Sequence, residues 1–264
     1  MQYDIKPIID QYIPSLINLL GENKISWRSV NKKFSKFIER INNNDENGNH
    51  QIDANLYVLL KNKADKIAKS DAMLDFYSYI FENLYSYLSN KERKLIGKTI
   101  LNILTEMQKD YMHYIGELAV LDFYKREYGF KLLSVEDRIY KNSNVHLDFL
   151  FEIGKENTLH VEVVNLHAEI KDFRSKDELK HWLENKLKKK KNEKILEQKK
   201  KILIQPVVWT KDLFQLKLLE ELYDQKLVSI EKVQIPFGYL TYYLKDVHKY
   251  EHRFEPVNMI LKEE

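Results

Sequence analysis

Two strand-like runs, each holding one carboxylate, constrain this chain more than any other feature. His146–Ile153 and Thr158–Asn165 alternate apolar and polar residues on either side of a short linker, Gly154–Asn157. Side chains along a strand change face at every residue. His146, Asp148 and Leu150 therefore share one face of the first run, and His160, Glu162 and Val164 share one face of the second. The linker has the length and composition of a hairpin connection, so the spacing predicts antiparallel neighbours. Asp148 and Glu162 then stand on the same side of a sheet. Two carboxylates close together in a part-buried place need a cation, and hard oxygen donors suit Mg²⁺ or Mn²⁺.

The rest of the chain reads as two regions. Residues 1–107 are helical by periodicity, with helices expected at Asp4–Leu20, Ser26–Ile41, Ala54–Ser70 and Asp71–Leu88. Ser89 and Glu92 have capping-box spacing and predict one more helix running to Lys109. Residues 108–264 change character. A helix apolar nearly all round, Tyr111–Tyr128, precedes strands at Lys131–Tyr140, His146–Ile153 and Thr158–Asn165. A second capping box, Ser175 with Glu178, opens a helix to about Gln198, followed by strand Ile202–Trp209 and helix Asp212–Gln225. Extended segments are expected near Gln234–Leu244 and Phe254–Leu261. The order predicts an all-helical N-terminal region followed by an α/β domain, αβββαβ, with a mixed central sheet.

Composition narrows the chemistry. No cysteine occurs, which excludes disulfides, thiolate metal sites and cysteine nucleophiles and suits a reducing cytoplasm. None of the seven glycines forms a phosphate-cradling loop. No apolar run approaches a membrane span, and Met1–Asp4 has no basic or apolar leader pattern. Net charge is only +3, yet Arg174–Lys201 holds twelve basic residues against five acidic ones. Such a stripe attracts polyanions, nucleic acid above all; the plainer reading is a solvated helix face.

Glu117 is the third acid of interest. It is the only acidic residue between Asp110 and Asp122, in a segment that otherwise reads as core. A buried glutamate is costly unless paired or near a metal; the alternatives are a pair with His113 one turn earlier or a place facing water. Gly116 beside it lowers helix stability. His146 and His160 lie on the acid-bearing faces, but neither HExxH nor HxH spacing supports a zinc site, and no GxSxG supports a serine hydrolase.

Glu117 on a helix, Asp148 and Glu162 on successive strands and a lysine-rich helix after them resemble the PD-(D/E)XK nuclease superfamily, from about Lys109 to Trp209. One departure stands out: the family usually has Glu-x-Lys, whereas here Val164 follows Glu162–Val163 in the lysine's place. Some members supply that lysine from the following helix. The apolar face Leu179, Trp182, Leu183 and Leu187 has Lys190 and Lys186 beside it, which makes Lys190 the first and Lys186 the second candidate. Lys188, Lys189, Lys191 and Lys194 are the expected contacts to a nucleic-acid backbone.

The resemblance implies metal-dependent hydrolysis of phosphodiester bonds, with DNA the expected substrate and RNA left open. Asp148, Glu162 and the carbonyl of Val163 would hold Mg²⁺ or Mn²⁺, with Glu117 on a second ion or a coordinated water. The lysine would orient the attacking water. Family members often pair, so a homodimer is also implied. The rival expectation is a catalytically inactive chain that keeps the fold as a nucleic-acid-binding or assembly module.

Overall fold

The computed structural model describes residues 4–42, 55–66, 71–105, 111–138, 146–154, 157–167, 173–194, 202–209, 217–219, 221–222, 239–246 and 249–255. The chain divides into two compact units, Met1–Asp122 and Phe123–Glu264. The dividing line falls inside the apolar helix, fifteen residues after the sequence-based boundary at 107 and 108, and leaves Glu117 with the first unit.

The first unit is helical. The helix expected over Asp4–Leu20 is two helices, α1 (Lys6–Tyr12) and α2 (Pro14–Leu20), because Pro14 has no N–H to continue the ladder. Ile13 before it adopts φ −142°, outside the helical region, as a residue preceding proline tends to do. After a single 3-10 turn at Glu22–Lys24 come α3 (Trp27–Asn42), α4 (Leu56–Ala64) and α5 (Asp71–Tyr87). The Asn55 side chain caps α4 by accepting from the Tyr57 N–H. The Ser89–Glu92 capping box is present and opens α6 (Asn90–Leu95), but this helix stops at Ile96, and α7 (Gly97–Thr105) begins at a glycine. The single helix expected there is thus two. Phe34 packs edge-on against Tyr57, with ring centroids 5.1 Å apart, and the Tyr57 hydroxyl donates to the Leu104 carbonyl.

Helix α8 (Tyr111–Tyr128) has the expected bounds and buries Ile115, Leu118, Ala119, Val120 and Leu121. In the second unit a four-stranded mixed sheet has the order β1 (Lys131–Arg138), β2 (His146–Ile153), β3 (Asn157–His167), β4 (Ile202–Trp209). β1–β2 and β2–β3 are antiparallel, and β3–β4 is parallel. Gly154 turns the β2–β3 connection at φ +69°, a conformation that favours glycine. α9 (Lys176–Lys194) lies between β3 and β4 in sequence, as a parallel crossover requires. Its start is a shifted capping box: Ser175 Oγ accepts the Glu178 N–H, while the Glu178 carboxylate accepts from Arg174 N rather than from Ser175 N.

The two faces of the sheet differ. Phe149, Phe151, Val161 and Gln205 lie on the side covered by the last turns of α8, where Tyr124 meets Phe151 at 5.6 Å between centroids. α9 covers the other side with Leu179, Leu183 and Leu187, all fully buried. Of the helix expected over Asp212–Gln225, residues 217–219 and 221–222 are described and are helical. The last expected strands are displaced: β5 (Tyr239–Asp246) and β6 (Lys249–Glu255) pair antiparallel, so the final strand starts at Lys249 and not at Phe254. The two residues between them lack the Gly or Asn that marks a hairpin turn in sequence. Among the described residues, no helix is long and apolar enough to cross a membrane.

Candidate active site

β2 carries a strict alternation, with Leu147, Phe149 and Phe151 buried and His146, Asp148 and Leu150 half-buried. β3 is central and buried on both faces from His160 to Val164, so Glu162 lies in the interior, its side chain 2% exposed. The last paired positions of the two strands are Phe149 and Val161, which sets Asp148 opposite Glu162 one position further on and on the same face. Beyond that point β3 continues along β4 as far as His167 and Trp209, while its ladder with β2 has ended. Asp148 fills the split: its Oδ2 accepts the Val163 N–H at 2.6 Å, a backbone donor that a longer β2–β3 ladder would have satisfied. Val163, expected to offer its carbonyl, therefore meets Asp148 through its amide nitrogen.

Glu162 is neutralised from α9. Lys190 Nζ donates to Glu162 Oε1 at 3.1 Å, its own side chain 36% exposed. Lys190 falls on the buried stripe of α9, seven residues after Leu183, and its stem crosses apolar surface to reach the acid. Lys186, Lys188 and Lys189 are exposed, and Lys188 stands 3.7 Å from Glu184 one turn earlier. The side chains of Lys191 and Lys194 lie outside the described residues. Glu117 is half-buried on α8.

His146 Nδ1 lies 2.9 Å from the Glu136 carbonyl, and a carbonyl only accepts, so Nδ1 is the protonated nitrogen. His160 is buried two positions before Glu162. Past the acids, Trp209 Nε1 donates to Asn165 Oδ1 at 2.8 Å, and the exposed His167 ring lies parallel to Trp209 at 6.1 Å. On that same face, opposite the acids, Tyr124 Oη donates to Gln205 Oε1 at 2.8 Å, and Gln205 Nε2 donates to the Pro206 carbonyl. The sequence reading passed over Gln205 and Trp209. A lone glutamine inside Ile202–Trp209 was the available signal, of the same kind as Glu162 in β3.

The fit of a divalent ion follows from these donors. Asp148 and Glu162, hard oxygen donors set opposite one another, are the residues that would hold a divalent ion such as Mg²⁺. Among the described residues no group of three His, Asp or Glu side chains is gathered as a complete ligand set. No family model matches the chain, no curated protein matches it, and no solved structure matches its fold.

Proposed function

We propose that the second unit hydrolyses phosphodiester bonds of nucleic acid, DNA in the first instance, with Mg²⁺ or Mn²⁺ as cofactor. The observation that carries this is the cluster on one face of the sheet: Asp148 opposite Glu162 where β2 and β3 part, with Lys190 hydrogen-bonded to Glu162. The order α8, β1, β2, β3, α9, β4, with only the last strand pair parallel, supports a restriction-endonuclease-like core. A cysteine-free chain suits a cytoplasmic setting.

In this reading Asp148 and Glu162 hold the ion, which supplies charge neutralisation at the scissile phosphate when bound. Asp148 is oriented by the Val163 N–H, so its second oxygen has a defined direction. Lys190 leaves Glu162 for the attacking water or the phosphate, its long stem allowing the ammonium to move while the helix stays fixed. Placed there, it orients the water and offsets anionic charge. Glu117 enters this scheme from the sequence resemblance alone, as do Lys188, Lys189, Lys191 and Lys194 as backbone contacts.

The second reading is a binding module with the same fold and no turnover. It is favoured by Glu162 already having a cation, Lys190, so that the resting site needs no metal to balance it. Incubation of the full chain with plasmid and single-stranded DNA in Mg²⁺ separates the two. Cleavage lost in Asp148→Ala supports the nuclease; a mobility shift without product in any divalent ion supports the module.

A further inference from the structure

The first unit carries a basic and aromatic surface that the catalytic reading does not use. Tyr85, near the end of α5, is 41% exposed, and the Arg93 guanidinium lies over its ring, 4.5 Å from the centroid. Arg93 is held there from behind, because its Nε donates to the Leu88 carbonyl at 3.0 Å. That leaves the two Nη groups, the fork that binds phosphate oxygens in pairs, outside this hydrogen bond on a half-buried side chain. The same short helix, α6, presents Lys91 and Lys94 as exposed cations. Its one acid, Glu92, is buried in the capping box with Ser89 and so adds no exposed negative charge.

We propose that Tyr85 and Arg93, with Lys94 one position further along α6, form a binding surface for single-stranded nucleic acid. A strand alternates planar bases with anionic phosphates, and this surface sets an exposed ring beside a pinned guanidinium. Base stacking on the ring and phosphate contact by the fork are the two terms that hold single strands without sequence preference. An acidic peptide would use the charges but not the ring. The exposed acid nearest in sequence, Glu82 on α5 one turn before Tyr85, faces the strand as a like charge. The surface stands independently of the catalytic proposal, since it lies wholly within the first unit.

The test is fluorescence anisotropy of a labelled oligothymidylate with the full chain in EDTA, so that cleavage has no part in the reading. Tyr85→Ala weakens binding by about fivefold or more. Arg93→Gln lowers the slope of log affinity against log salt by about 0.7, the share of one phosphate on a single strand. Tyr79→Ser, at a more exposed tyrosine about 240° around α5, leaves affinity unchanged. Glu82→Gln tightens binding, which keeps the proposal open to refutation even where Tyr85→Ala or Arg93→Gln loses its fold by circular dichroism. Wild-type affinity in folded Tyr85→Ala and Arg93→Gln overturns the proposal, as does an unchanged affinity in Glu82→Gln. Tyr85-dependent binding to phosphatidylserine vesicles with none to the oligonucleotide overturns it too, in favour of a membrane surface.

Discussion

Lys190 and Glu162 form an ion pair of unequal partners: the ammonium sits 3.1 Å from Oε1, yet the lysine side chain is 36% exposed and the glutamate only 2%. The carboxylate is fixed in the interior of β3, while the cation reaches it from a helix 28 residues later and keeps a path to solvent. This asymmetry makes Lys190 the mobile member. In the proposed mechanism, a cation bound at Glu162 would release it.

If the catalytic reading holds, Lys190→Ala lowers turnover by at least about a hundredfold, the scale of one general acid–base group. Lys186→Ala, on an exposed residue of the same helix, leaves turnover near wild type. Steady-state cleavage rates of the two variants in Mg²⁺, with Mn²⁺ affinity measured alongside, check the assignment. Full activity in Lys190→Ala refutes it.

Removing the cation alone also affects stability. Breaking a fully buried pair costs about 3–5 kcal/mol, and the exposure of Lys190 brings the figure for Lys190→Met down to about 2 kcal/mol or less. In Glu162→Gln, where no charge is left to strand, Lys190→Met should cost little. A double-mutant cycle by urea unfolding reads the coupling directly, and additive effects would show the pair to contribute nothing.

Asp148 has a structural duty separate from any metal. Asp148→Ala leaves the Val163 N–H at the strand split without its acceptor and costs about 1–3 kcal/mol. Asp148→Asn keeps an acceptor oxygen and should lose less. Chemical denaturation of the two variants ranks them, and equal losses would argue against the hydrogen bond.

Burial pushes the hydroxyls of Tyr57, Tyr77 and Tyr124 well above the ordinary tyrosine range. The neutral phenol is thereby favoured in the folded state. The stability this contributes is complete below about pH 10 and declines as pH rises further, because the unfolded chain ionises first. An alkaline titration followed by tyrosinate absorbance should show these rings ionising only together with unfolding. Tyr124→Phe, which takes the donor from Gln205 Oε1 in the buried layer, lowers the denaturation midpoint by the equivalent of about 1–3 kcal/mol.

The Ser89–Glu92 box closes the turn that leads into the Arg93 surface. Ser89→Ala costs about 1 kcal/mol, and calorimetry should show it as a small drop in melting temperature without loss of helical signal.

Local pattern was enough for most elements. Alternation marked β2 with its observed bounds, the all-round apolar run marked α8, and Ser89 with Glu92 marked a helix start. Pro14 was a legible break that the apolar spacing across it obscured, and Val247–His248 gave no turn signal for the last hairpin. Parity alone also put Asp148 and Glu162 on one face, because side-chain direction in a strand is set residue by residue.

What no local pattern contained was which distant groups meet. Helix residues advance about 100° each, so several lysines of α9 lay within reach of the apolar stripe, and only the lie of the helix over β3 selected Lys190 for Glu162. The same holds where the β2–β3 ladder stops and hands the Val163 N–H to Asp148, and where Tyr124 finds Gln205 across 81 residues. Element type and facing are short-range consequences of backbone geometry, written in the sequence itself. Pairing across tens of residues is decided by how whole layers pack, and that belongs to the tertiary structure.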